Sequence, residues 1–153
     1  MLKIYNIKDK KEYIKEVASL TQKEWGKYNS EEEFNEKVDK KIHKIISNLS
    51  NKYYCKLILL DDDSLVGFIS IFEFDLESRK DLFPWYATMY VKKEYRGRGY
   101  SKILNDAILK EARRRKFKKL YLKTNLQNYY EKFGAKYIEK LEDGEKLYCF
   151  YLK

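Results

Sequence analysis

The residues whose types and spacing best suit chemistry lie in the run Arg96-Gly97-Arg98-Gly99-Tyr100-Ser101. Its glycines allow a backbone to approach a bound anion closely, and Arg96 and Arg98 add positive charge. An alternating apolar run ending in Met89, Tyr90 and Val91 precedes it. A helical pattern follows, with Ile103, Leu104, Ala107, Ile108 and Ala112 on one stripe. Strand, glycine turn and helix N-terminus in that order make an anion cradle, because the first N–H groups of the helix are free and its dipole favours negative charge. Taken alone the turn is a weak signal. It lacks the third glycine of a dinucleotide fingerprint and the Gly-Lys-Ser/Thr of a P-loop. A simple turn closed by a cap-like glycine explains it equally well.

Other chemistries find less support. Asp61-Asp62-Asp63 reads as a polar hairpin tip, and no Cys/His spacing suggests a metal. Cys55 and Cys149 sit in strand-like runs and read as small buried hydrophobes, while His43 falls in a helical pattern as a surface or boundary residue. The net charge of +9 permits a polyanionic partner without demanding one. Six cations in Arg113-Arg114-Arg115-Lys116-Phe117-Lys118-Lys119 give a nucleic-acid-binding reading its only footing. Against it, cations at a helix C-terminus are favoured by the dipole alone.

The positioning elements can be read in order. Leu2 to Ile7 alternates as a first strand. A helix capped by Asn6 or Asp9 follows to Gly26, with Tyr13, Ile14, Val17 and Ala18 on its stripe. Ser30 with Glu33 is a capping-box pattern that opens a second helix running through Phe34, Val38, Ile42 and Ile45. Tyr53–Leu60 and Leu65–Phe74 make a hairpin, and Trp85–Val91 is the next strand. After the central helix come a strand over Lys119–Lys123, a short helix over Leu126–Phe133 closed by Gly134, and a final hairpin around Asp143-Gly144. The order β-α-α-β-β-β-α-β-α-β-β predicts one α+β domain over residues 1–153, a mixed, mostly antiparallel seven-stranded sheet with about four helices. Hydrophobic residues make up 44% of the chain, enough for a real core. No apolar run approaches the roughly 18 residues of a membrane span, and the N-terminus lacks a signal-peptide core. The expectation is a cytoplasmic protein, monomer or homodimer.

Val91 through Leu104, VKKEYRGRGYSKIL, closely resembles the acyl-CoA-binding motif of the GNAT N-acyltransferase superfamily, Gln/Arg-x-x-Gly-x-Gly/Ala. Arg96, Gly99 and Ser101 occupy its specified positions. Downstream, Tyr130-Glu131-Lys132-Phe133-Gly134-Ala135 is similar to the family's Tyr-Glu-Lys-x-Gly-Phe, and the element order matches over essentially the whole chain. Ser101 replaces a Gly/Ala, Lys93 stands where proline is common, and Ala135 replaces an aromatic.

The resemblance implies direct acetyl transfer from acetyl-CoA, as cosubstrate, to a small-molecule or protein amine. Met89, Tyr90 and Val91 would bond the pantetheine where the central strand splays at a bulge, and an N–H of this strand would polarise the thioester carbonyl. Arg96, Gly97, Arg98, Gly99, Tyr100 and Ser101 would hold the pyrophosphate, and Asn125 would cap the next helix or touch the cofactor. Tyr130 would protonate the departing thiolate, and Glu73, charged in an apolar strand, would act as the base, with Asp75 second. Glu77, Asp81, Phe83 and Trp85 would form an acidic, aromatic rim suited to a cationic amine. A catalytically silent acyl-CoA sensor is the remaining alternative.

Overall fold

The computed structural model describes all of residues 1–153. Its sheet has seven strands: β1 (Leu2–Asn6), β2 (Cys55–Asp61), β3 (Ser64–Phe72), β4 (Trp85–Val91), β5 (Lys119–Thr124), β6 (Lys136–Lys140) and β7 (Lys146–Tyr151). Their order is β1-β2-β3-β4-β5-β7-β6, and only β4 and β5 run parallel. Three α-helices complete the fold: α1 (Ile14–Trp25), α2 (Glu31–Asn48) and α3 (Tyr100–Arg114).

Both faces of the central sheet are covered, which explains why β2 and β3 read as continuous apolar runs rather than alternating ones. Cys55, Leu57 and Leu59 of β2 pack with Leu104, Ile108 and Ala112 of α3. Ile58 and Leu60 face the other way, against Ile14, Val17, Val38 and Ile45 of α1 and α2. By the same alternation Lys56 points toward α1 and α2.

The expected caps form with small differences. Ser30 Oγ accepts from Glu33 N at 3.1 Å, while Glu33 Oε2 accepts from Asn29 N rather than from Ser30. Asn6 Oδ1 caps not α1 but a 3₁₀ turn, Ile7–Asp9, and a second turn, Lys11–Tyr13, leads into the helix. The aspartate tip is tied to the chain terminus, since the Met1 ammonium donates to Asp61 and Asp62.

Two boundaries differ from the sequence reading where the site is concerned. The helix expected over Leu126–Phe133 shrinks to a 3₁₀ turn, Tyr130–Phe133, closed by Gly134. Asn128 takes a left-handed φ of 57°, which no helix passes through, and Thr124 Oγ1 accepts from Leu126 N to start a turn instead. Strand β3 ends at Phe72, opposite Trp85 where β4 begins, so Glu73 lies outside the strand.

Gly67 allows β3 and β4 to pack closely just before the functional region. A Cβ there would stand 2.4 Å from the Tyr90 carbonyl oxygen, a backbone atom that cannot move aside. Gly67→Ala should therefore lower stability by about 1–3 kcal/mol, the usual range for overpacking. Thermal unfolding followed by circular dichroism checks it.

Candidate active site

Two irregularities in β4 create the site. Its pairing with β5 is confined to Trp85 and Tyr121, so the strands part beyond that point. On the other side, Phe68 pairs with Tyr90 and Ser70 with Ala87, so Thr88 and Met89 together oppose Ile69 alone. This is a β-bulge, and Thr88 adopts a φ of 48° in it. The bulge re-aims the end of β4 and leaves Met89, Tyr90 and Val91 along one wall of a cleft of 470 Å³.

The glycine turn closes one end of this cleft, contributing Arg96, Gly97, Gly99, Tyr100 and Ser101. Gly99 is the N-cap of α3 with φ 80°, where no side chain caps the helix. The N–H groups from Gly97 to Ser101 have no partner within the protein, and the first turn of α3 holds no acidic residue. Five backbone donors on a positive helix end suit a diphosphate. Arg96 serves the loop as well as its charge, because its Nε donates to Val91 O at 2.8 Å and its guanidinium lies over the Tyr90 ring. Gly99→Val would force a branched side chain into the left-handed region and should weaken CoA binding at least ~10-fold, on the scale of 1–3 kcal/mol for backbone strain. Calorimetric titration with CoA reads it out.

Across the cleft stands Tyr130, beside Tyr129 and Leu126. Its ring meets Tyr129 edge-on at 4.8 Å and Tyr86 at 5.7 Å. Tyr86 is itself fixed, for its hydroxyl donates to Asn105 Oδ1 of α3 at 2.7 Å. Burial, then the neighbouring Tyr129, pushes the Tyr130 phenol up to about 12. It therefore carries its proton throughout the neutral range.

The structure thus gathers Met89, Tyr90, Val91, Arg96, Gly97, Gly99, Tyr100, Ser101 and Tyr130 around one cleft. Arg98 and Asn125 are exposed and do not line it; Arg98 packs over Tyr95 instead. Glu73 is separated from it. It sits past the end of β3 and accepts from Asn51 Nδ2 at 3.2 Å, at the opposite end of β4 from the glycine turn. Asp75 is held above the usual carboxylate range by burial and also lies outside the cleft. Glu24, Tyr95, Leu126 and Tyr129 line the cleft without having been singled out as binding residues. Tyr95 was within reach of sequence reading, being next to the motif; Glu24 comes from α1, and nothing local signals its approach.

The expected acidic rim is largely neutralised. Arg79 bonds Asp81 and Glu139, Lys80 pairs with Glu77, and Trp85 is buried with its Nε1 donating to Leu82 O. The basic run at the end of α3 is partly spoken for as well. Arg114 and Arg115 both bond Glu111, and Arg115 also reaches the carbonyls of Lys52 and Tyr54. Phe117 is buried in the core. Arg113, Lys116, Lys118 and Lys119 stay exposed and form no ion pair. No helix is long and apolar enough to cross a membrane.

A sheet split at a bulged strand, with an anion cradle at the following helix, gives the fold a cleft suited to a long ligand that ends in a diphosphate. The sequence model of the acetyltransferase (GNAT) family matches residues 14–135, and the chain belongs to that family. It is an acyl-CoA-dependent N-acetyltransferase. Solved structures with the same fold include PaiA N-acetyltransferase from Thermoplasma acidophilum in complex with coenzyme A, at 20% identity, TM-score 0.65 and 99% coverage of both chains. A GNAT-family acetyltransferase from Staphylococcus aureus Mu50 is similar at 20% identity and TM-score 0.69, with both chains fully covered. YncA, a putative acetyltransferase from Salmonella typhimurium with acetyl-CoA, is similar at 14% identity and TM-score 0.72, covering 99% of this chain and 94% of its own. No curated protein matches in sequence.

Proposed function

We propose that the protein transfers the acetyl group of acetyl-CoA to an amine by direct attack, with Tyr130 as the acid that meets the departing sulfur. The observation that carries this reading is the placement of Tyr130 across the cleft from Met89–Val91, with the unpartnered N–H groups of Gly97–Ser101 at its end. In it, the diphosphate lies on the glycine turn and the pantetheine runs along the free edge of β4, bonded to the backbone of Met89, Tyr90 and Val91. Backbone N–H groups at the bulge face the thioester carbonyl, where negative charge grows in the transition state. Arg98 adds long-range charge at the mouth, and Asn125 belongs to the turn rather than to the cofactor.

A phenol raised to about 12 is a weaker acid than a thiol, whose ordinary range is about 8.5. Tyr130 therefore stabilises the sulfur chiefly by donating a hydrogen bond as the C–S bond breaks, and its proton passes fully only as the amide nitrogen sheds one. Glu73, remote from the cleft, is not needed in this scheme.

The test is free-thiol release from acetyl-CoA against a panel of small amines and lysine peptides. Release that depends on the amine supports the reading. CoA binding without release from any amine makes the protein a silent acyl-CoA sensor, and failure to bind CoA removes the reading altogether.

A further inference from the structure

Lys56 is the only charged side chain in the buried interior, 3% exposed. No carboxylate lies within ion-pair distance of it. Isolated buried charges are costly, so such a group is held neutral or is held for use. Burial, with the nearby Lys41 and Lys44, pushes its ammonium down to about 7, against a smaller opposing effect of Cys55. The Phe68 and Phe72 rings lie 5.4 Å from Nζ, so the charged form is tolerated when it arises.

Its polar contacts lead toward the bulge. Lys56 faces Ser70 across the β2–β3 ladder, and its Nζ donates to Ser70 Oγ at 2.6 Å. Thr88 Oγ1 donates to the same Ser70 oxygen at 2.7 Å. Thr88 immediately precedes Met89, which lines the cofactor cleft. On the α1–α2 side, Thr88 and Lys56 share a cavity of 190 Å³ with Thr21, Lys41, Lys44 and Phe72. The cofactor cleft and this cavity are thus lined by consecutive residues of one bulge.

The cavity's charges are all positive. Lys41 and Lys44 come from α2, and neither forms an ion pair. Strand β2 contributes Lys56, which Tyr54 and Cys55 precede in the chain, both held protonated by burial. From α1, β3 and β4 come only Ala18, Thr21, Phe72 and Thr88. Asp75, which senses Lys44, lies outside it. A polycationic amine would be repelled here; an amine with an anion of its own would be held.

We propose that this cavity is the acceptor site, that it takes amines bearing an anionic group, a carboxylate or phosphate, at the Lys41–Lys44 end, and that Thr88, Ser70 and Lys56 relay away the proton the acceptor ammonium must lose. This rests on the transferase reading above. In the relay Lys56 is uncharged and accepts from Ser70 across the same 2.6 Å contact through which its ammonium donates. The acceptor's ammonium gives a proton to Thr88 Oγ1, Thr88 passes its own to Ser70, and Ser70 passes its own to the lone pair of Lys56, which becomes an ammonium. The neutral amine then attacks the thioester carbonyl. The C–N bond forms and the C–S bond breaks with its electron pair on sulfur. Tyr130 protonates the sulfur and recovers a proton from the new amide nitrogen. Lys56 returns its proton to solvent through the cavity once product leaves, so one proton is released per turnover.

The experiment measures thiol release by the full chain over pH 6–10 with two matched pairs, β-alanine against β-alaninamide and phosphoethanolamine against ethanolamine. Wild type should favour the anionic member of one pair at least ~10-fold in kcat/KM, and Lys41→Gln with Lys44→Gln should collapse that ratio. The pair that discriminates identifies the anion. Lys56→Met should lose ~100-fold in kcat/KM at pH 7, recovering as pH approaches the acceptor's own pKa, with CoA affinity unchanged. Ser70→Ala, which breaks the relay and keeps the lysine, should shift the profile in the same direction. Equal use of both members of both pairs, or pH profiles for Lys56→Met and Ser70→Ala parallel to wild type, overturns the proposal while leaving acetyl transfer intact. Absence of thiol release by wild type with every amine overturns the transferase reading, and the proposal with it.

Discussion

Tyr130→Phe should lower kcat by ~10²–10³-fold, the range for removing a positioned acid, while the Kd for CoA stays within about twofold. The ring remains in both forms, so its edge contacts with Tyr129 and Tyr86 survive and only the hydroxyl is lost. That hydroxyl has no partner within the protein, so its removal leaves no buried group unsatisfied and the fold should not respond. The loss should be independent of pH across the neutral range, because wild-type Tyr130, raised to about 12, holds its proton there. Rapid-mix thiol release, with CoA affinity measured separately by calorimetry, tells the two quantities apart. A drop in CoA affinity matching the drop in rate would make Tyr130 a wall of the cleft rather than an acid. Leu126→Ala provides the contrast, since it trims the same wall and should change affinity more than rate.

How much of this was legible in the chain depends on whether a feature is local. The glycine turn and the Tyr130 segment are runs of adjacent residues, so their identity carries their geometry, and the cleft lining follows both. The expected Leu126–Phe133 helix does not form because its early polar residues, Gln127 and Asn128, offer no apolar stripe; Asn128 bends the chain instead. Glu73 reads in the sequence as a charge within an apolar strand, but one register step decides whether such a residue is inside the strand or past its end. Strand β3 stops at Phe72. The same reasoning applied to Cys55-Lys56-Leu57 would have found a charge in the middle of a strand buried on both faces. What no local pattern carries is the bulge at Thr88 and the cross-strand pairing of Lys56 with Ser70, which arise from three separate strands.

Lys56→Met should raise stability by about 1–4 kcal/mol at pH 7 and below, as apolar replacements of buried charged groups do. Methionine has nearly the same length and removes the only charge in the interior. The dependence on pH identifies the cause. The folded-state pKa, about 7, is lowered from an ordinary 10.5, so between these values the unfolded chain binds a proton that the folded chain does not. Wild-type stability from this group therefore rises with pH across that window and is lowest below about 7. The advantage of methionine should be largest at pH 6, shrink through pH 8 and 9, and be small by pH 10.5. Tyr54, raised by burial, and Lys41, lowered by it, titrate in both proteins and cancel in the difference; Cys55, also raised by burial, feels Lys56 only as a minor cause. Scanning calorimetry of the two proteins at four pH values gives the curve. A constant difference would mean that Lys56 stays charged in the fold and cannot receive a proton from an acceptor. A variant that is more stable yet slower at neutral pH separates what Lys56 does for the fold, which is to weaken it, from what it does at the bulge.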